Sequence, residues 1–162
     1  MRKGEKGILM GIGIFAVIAM IGKAVLIQHQ DPHAGKIPFY SKAPKEMATK
    51  AAHLVREYNC RDCHTYWGKH NIMNSVPAPS LDGIGSLKSE EWIYSYLSAK
   101  DPQKIVPSRM KMEFQMPSYA DMPEADRKLL AQYLASMKVE DWFFDETKKS
   151  EYEKLTGKKF RE

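Results

Sequence analysis

Residues 7–22 contain no charged side chain, and after Lys23 the apolar run continues through residues 24–27. As a helix, residues 7–27 measure about 31 Å, close to the roughly 30 Å hydrocarbon thickness of a bilayer. Lys23 lies near the outer end, where its stem can follow lipid while the ammonium reaches the headgroups. Arg2, Lys3 and Lys6 precede the run against a single acid, Glu5. That basic start puts the N-terminus in the cytoplasm and residues 28–162 on the other side. A cleaved signal peptide has the same start, but this apolar stretch is long and no clean small-x-small site follows it. A lipoprotein would need a cysteine before Cys60, and there is none. The expectation is an uncleaved, single-pass anchor, residues 1–27, held in a bacterial cytoplasmic membrane through residues 7–27.

The rest of the chain is nearly neutral. The formal charge of +5 divides into +3 for residues 1–30 and +2 for residues 31–162. Charge therefore does not favour a phosphate-binding surface, and no nucleic-acid partner is expected. Two cysteines exclude a multi-disulfide scaffold and a four-cysteine metal site.

Pro32, Pro38 and Pro44 mark residues 28–45 as an extended linker, because each removes a backbone donor and disfavours helix before it. Met47, Ala51, Leu54, Val55 and Tyr58 then form one helical face. Residues 68–86 read as loop. Ser89 can cap a short helix with Glu90 and Glu91 in its first turn and Trp92, Ile93, Tyr96 and Leu97 on its apolar face. Residues 101–119 have no clear period. Asp121 and Glu124 match a capping box, with Pro123 in the first turn of the next helix. Leu129, Leu130, Tyr133, Leu134 and Met137 make its buried stripe. No strand pattern or internal repeat is evident. Residues 46–138 are thus expected to form a small, mainly α domain. Residues 139–162 are a charged tail led by Trp142-Phe143-Phe144, with a short helix near residues 146–155. A core this small often needs a cofactor or crosslink to complete it.

Cys60-Arg61-Asp62-Cys63-His64 has the C-x-x-C-H spacing of covalent haem c attachment. Two thiols three residues apart can reach the two vinyl groups of one haem, and the next residue, His64, is placed to bind the iron. A thioredoxin-like redox pair would need βαβ units. Half a zinc site would need a second C-x-x-C or H-x-x-x-H, and neither occurs. The anchor also puts the pentapeptide outside the cytoplasm, where haem c proteins mature.

The chain resembles the membrane-anchored monohaem class I c-type cytochromes from about residue 45 to residue 138. The resemblance rests on the helix before Cys60, on Pro79-Ser80-Leu81-Asp82-Gly83-Ile84-Gly85, and on Met116-Pro117-Ser118-Tyr119 before a helix containing Tyr133-Leu134. It implies a helical fold with crossing N- and C-terminal helices around one haem c, and one-electron transfer. It also implies a methionine as second iron ligand in a loop before the last helix. With ten methionines in the chain, that pattern rather than spacing selects Met116. Met110 and Met112 are rivals that would shield the haem edge, Met122 is expected to pack against the helix, and Met73, close after the attachment loop, is disfavoured. Among the histidines, His53 reads as a helix residue, His29 and His33 belong to the linker, and His70 is the bis-histidine rival. The resemblance further implies a proline carbonyl orienting the proximal imidazole. Pro79 is the better match and Pro77 the other candidate. Tyr66, Trp67, Trp92 and Tyr119 are candidates to line the haem, with plain core packing favoured for Trp92.

With both axial positions filled, the expected function is electron transfer by a tethered cytochrome with the haem domain on the periplasmic or extracytoplasmic face. Its partners would be redox proteins or membrane oxidoreductase subunits. The segment from Asp101-Pro102-Gln103 to Tyr119 resembles haem-copper oxidase cytochrome subunits, whereas one anchor plus one haem domain resembles the nitric oxide reductase small subunit. The alternative is a haem-based gas sensor or peroxide-reducing enzyme with a displaceable distal ligand.

Overall fold

Ala51, Leu54 and Val55 recur at helical spacing, and all three are buried on one face of a helix, α2, spanning Lys45–Glu57. The computed structural model describes residues 3–28, 32–70 and 76–161. A first helix, α1, runs Lys3–Gln28. Two compact units result, Met1–Lys36 and Ile37–Glu162.

In the first unit, α1 exposes Ile12, Phe15, Ile18 and Ile21. Among the described residues, no helix is long and apolar enough to cross a membrane. A turn at residues 32–35 follows, closed by the Lys36 amide on the His33 carbonyl at 3.0 Å.

The second unit is mainly helical. After α2 come α3 (Ile84–Leu87), α4 (Glu90–Leu97), α5 (Glu124–Ser136) and α6 (Phe144–Thr156). Ser89 caps α4 as expected, its hydroxyl accepting the Trp92 amide at 3.2 Å, and Glu90 and Glu91 meet the positive end of the helix. α5 packs against both α2 and α4. Ala51, Leu54, Val55, Ile93, Leu97, Leu130, Ala131 and Leu134 form the core between them. Each fully buried valine, leucine or isoleucine there contributes roughly 1.5–3 kcal/mol. α3 lies so close to α5 that a Cβ on Gly85 would overlap the Ala135 carbonyl.

Three expectations are corrected. Among the described residues there are two strands, β1 (Phe39–Ser41) and β2 (Met137–Val139), paired antiparallel with Tyr40 opposite Lys138. The end of the expected linker therefore belongs to the globular unit. The Ser41 and Ser136 hydroxyls lie 2.9 Å apart, and the Glu140 amide donates to the Pro38 carbonyl at 2.7 Å. Three-residue strands carry too little alternation to be read locally. Second, the Asp121–Glu124 capping box does not form, because Pro123 takes the cap position and offers no side-chain acceptor. The Arg127 side chain instead donates to the carbonyls of Ala120 and Met122, bracing the entry to α5 from within. Third, the tail helix is longer than residues 146–155, running Phe144–Thr156.

Candidate functional site

α2 ends at Tyr58, whose amide still reaches the Leu54 carbonyl at 2.9 Å. Asn59 then takes a left-handed conformation, φ 54°, and turns the chain into a tight helical turn, Cys60–Asp62. The amides of Cys63 and His64 return to the Cys60 carbonyl at 3.4 and 3.0 Å. That turn brings Cys60, Cys63 and His64 to the wall of one cleft. Leu81, Trp92, Leu97 and Tyr119 are among the other side chains lining it, and the non-atom space within is about 1270 Å³, open solvent included. The lining of this cleft is mainly apolar, as in sites that take a large organic ligand.

Both cysteines are half-buried, and no disulfide joins them. Burial pushes the Cys60 thiol up to about 11 and raises that of Cys63, with Asp62 adding to the latter. Thiolate-based redox chemistry is favoured by the opposite shift. Among the described residues, no three His, Cys, Asp or Glu side chains converge on a metal-binding point. The zinc alternative therefore finds no further ligands there.

His64 Nδ1–H donates to the Pro79 carbonyl at 2.6 Å. That bond leaves Nε2 with a free lone pair and holds the ring orientation. Burial keeps the imidazole below its ordinary pKa, partly opposed by the Pro79 bond, while nearby Lys154 lowers it further. Pro77 lines the cleft without bonding the ring. The Pro79 loop is itself tied down: the Leu81 amide donates to the Thr65 carbonyl at 2.9 Å. The buried Asp82 carboxylate accepts the amides of Trp67 at 2.5 Å and Gly68 at 2.9 Å. Those two residues have φ of 51° and 65°, so Asp82 stabilises a left-handed turn just past the histidine.

Met116 lines the same cleft and is half-buried. Its loop is held by Gln103, whose Nε2 donates to the Met116 carbonyl at 3.2 Å and whose Oε1 accepts the Ser108 amide at 3.1 Å. Ser118 adds a hydroxyl bond to the Ala99 carbonyl at 2.8 Å. Of the rivals, Met110 also lines the cleft. Met112 is 84 % exposed, and Met122 is buried in the core. His53 sits exposed on α2 with Nδ1 3.4 Å from Glu57, and His70 is exposed. Met73 and His29 lie outside the described residues.

Of the four aromatic candidates, Trp92 and Tyr119 line the cleft. Trp92 stacks on Tyr96 with ring centroids 5.2 Å apart and carries Lys88 over its other neighbourhood at 5.0 Å. Tyr66 and Trp67 instead meet at Tyr133, whose hydroxyl lies 3.0 Å from Tyr66 Oη and accepts Trp67 Nε1–H at 3.1 Å.

The sequence alone left three contributions unread. Asp82 stood in the Pro79–Gly85 phrase without a role. Gln103 sits in a stretch without period. The third is α6, which contributes Glu151, Lys154 and Leu155 to the cleft wall. A leucine four residues after an acid on an otherwise charged helix was the available signal.

Two thiols and an imidazole on one short turn, a thioether on a separate loop and an apolar wall between them are a donor set that fits an iron porphyrin. The family model for Cytochrome c matches residues 48–138, more than half of the chain. No curated protein and no solved structure matches it. The chain belongs to the cytochrome c family and carries covalently bound haem c.

Proposed function

We propose that Cys60 and Cys63 bear the two thioether links, that His64 Nε2 and the Met116 sulfur are the axial ligands, and that Pro79 orients His64. Bound haem supplies a one-electron ferric/ferrous couple, and the protein acts in electron transfer. The observation that carries the ligand assignment is the His64–Pro79 bond in a cleft that Met116 also lines. Pro79 fixes the tautomer and raises the basicity of the ligating nitrogen. Gln103 and Ser118 restrain the Met116 loop at two points. A thioether in the second axial position favours the ferrous state and leaves no open position for substrate. The apolar wall formed by Leu81, Trp92 and Leu97 excludes water from that environment. These features favour a carrier over a gas sensor or peroxide-reducing enzyme.

The proposal extends to location. Residues 7–27 hold the protein in a cytoplasmic membrane with the haem domain on the outer face. Support comes from the uncharged run, the basic residues before it and the exposed apolar side chains of α1. Tethering raises the effective concentration near membrane-bound redox partners.

The test is the spectrum of holoprotein purified from membranes of a host able to attach haem c. A low-spin ferrous form that does not bind carbon monoxide, with a far-red sulfur-to-iron band when oxidised, is the expected result. A five-coordinate form that binds carbon monoxide rapidly overturns the carrier reading. Release of full-length protein by alkaline carbonate overturns the anchor. Extraction in mild detergent then separates a free carrier from a subunit, which would co-purify with a larger haem protein.

A further inference from the structure

α6 lies beyond residues 48–138, the part matched by the family model, yet it forms part of the cleft wall. Its charged residues there are not equivalent. Glu151 is mostly buried and is answered by Lys88 at 3.4 Å. Lys154 is half-buried and has no ion-pair partner among the described residues. Asp82 is the acid that acts on it electrostatically, but that carboxylate already accepts two backbone amides. Glu153, one residue away, spends an oxygen on the Phe160 amide at 3.1 Å. Removing an ammonium from water without a partner is costly. A half-buried ammonium on the wall of an apolar cleft fits an anionic group brought by the occupant. Haem has two such groups, its carboxylates. Arg109 adds a second cation to the cleft wall and shares a smaller neighbouring concavity with Lys154. It passes so close to Gly157, the left-handed residue that ends α6, that a Cβ there would crowd its guanidinium.

We infer that α6 is a cover for the haem cleft from outside the family-matched segment and that Lys154 is its positioning residue, neutralising one haem carboxylate. This rests on the haem reading above. α6 then couples to the redox site, since its cation lies beside the group whose charge changes on reduction.

The test uses full-length holoprotein with Lys154→Gln and Lys154→Arg. Removing the cation leaves a carboxylate uncompensated and favours the ferric state. Lys154→Gln is expected to lower the midpoint potential and shift the haem carboxylate band in redox-difference infrared spectra. Lys154→Arg restores both. The far-red band and covalent pigment stay unchanged throughout, which separates this test from the ligand assignment. An unchanged potential and carboxylate band in Lys154→Gln overturn the inference. If that variant does not accumulate, native-state lysine labelling of the unmodified holoprotein decides. Lys154 is expected to react about ten-fold or more slowly than the exposed Lys158 and Lys159, and equal reactivity overturns the inference.

Discussion

The Asp82 carboxylate accepts the Trp67 amide at 2.5 Å, spanning fifteen positions of sequence to close the turn behind the candidate iron ligand. Its other oxygen accepts the Gly68 amide at 2.9 Å. Asp82→Ala leaves both donors without that acceptor and the left-handed turn unsupported. A buried group that loses its partner costs about 1–3 kcal/mol, more when the lost partner is charged. Asp82→Ala is expected to destabilise the holoprotein by roughly 2–4 kcal/mol in urea unfolding, with the haem still attached. A change below about 0.5 kcal/mol, typical of an ordinary surface position, would assign the turn's stability elsewhere.

How much of this site is legible in the residues depends on how local each part is. Cys60, Cys63 and His64 need only one turn of backbone, so five consecutive letters suffice. The spacing of Ala51, Leu54 and Val55 likewise carries the burial of α2. Pro79 and Met116 come from other segments, and only a family resemblance picked them out of nine prolines and ten methionines. β1 and β2 pair residues about a hundred positions apart and are three residues long, so no periodicity announces them. The role of α6 is set by the fold returning the tail to the cleft. Its own composition, charged on most sides, reads as a solvated helix.

Gln103 offers a direct test of how the Met116 loop is held. Its amide bridges the Met116 carbonyl and the Ser108 amide, tying two parts of one irregular stretch. Gln103→Ala removes both bonds, worth about 1 kcal/mol each. The combined loss of about 2 kcal/mol raises the population of a displaced loop about thirty-fold. Stopped-flow mixing of ferrous protein with carbon monoxide is expected to show slow binding that the unmodified protein does not show, while the static spectrum remains low-spin. Absence of that binding would mean that Pro117 and Ser118 alone restrain the ligand.

Met116 and the cysteines separate two kinds of attachment. Met116→Ala is expected to abolish the far-red band, lower the midpoint potential and open the iron to carbon monoxide, with pigment retained after denaturation and acid-acetone extraction. Persistence of the band would assign the ligand elsewhere, Met110 being the other methionine described in the cleft wall. Cys60→Ala combined with Cys63→Ala is expected to give little stable holoprotein, because an axial bond alone does not survive unfolding. Extraction of free haem from any residual material distinguishes the two outcomes.

The Tyr66–Tyr133–Trp67 group contributes to the alkaline sensitivity of the fold. Burial raises the Tyr66 phenol above its ordinary value of 10.0, and its bond with Tyr133 raises it further. The folded protein therefore keeps that proton at a pH where the unfolded chain has released it. Stability is fully present below about pH 10 and falls as pH rises above it, by at most about 1.4 kcal/mol per pH unit for one such group. Tyr66→Phe removes the titrating hydroxyl while Trp67 Nε1–H keeps its acceptor on Tyr133. The variant is expected to lose about 1 kcal/mol near neutrality, the net worth of one hydrogen bond. It should also show a shallower decline between pH 10 and 11. Urea unfolding of both proteins at pH 7, 9, 10 and 11 measures this, and parallel declines would place the alkaline sensitivity in other residues.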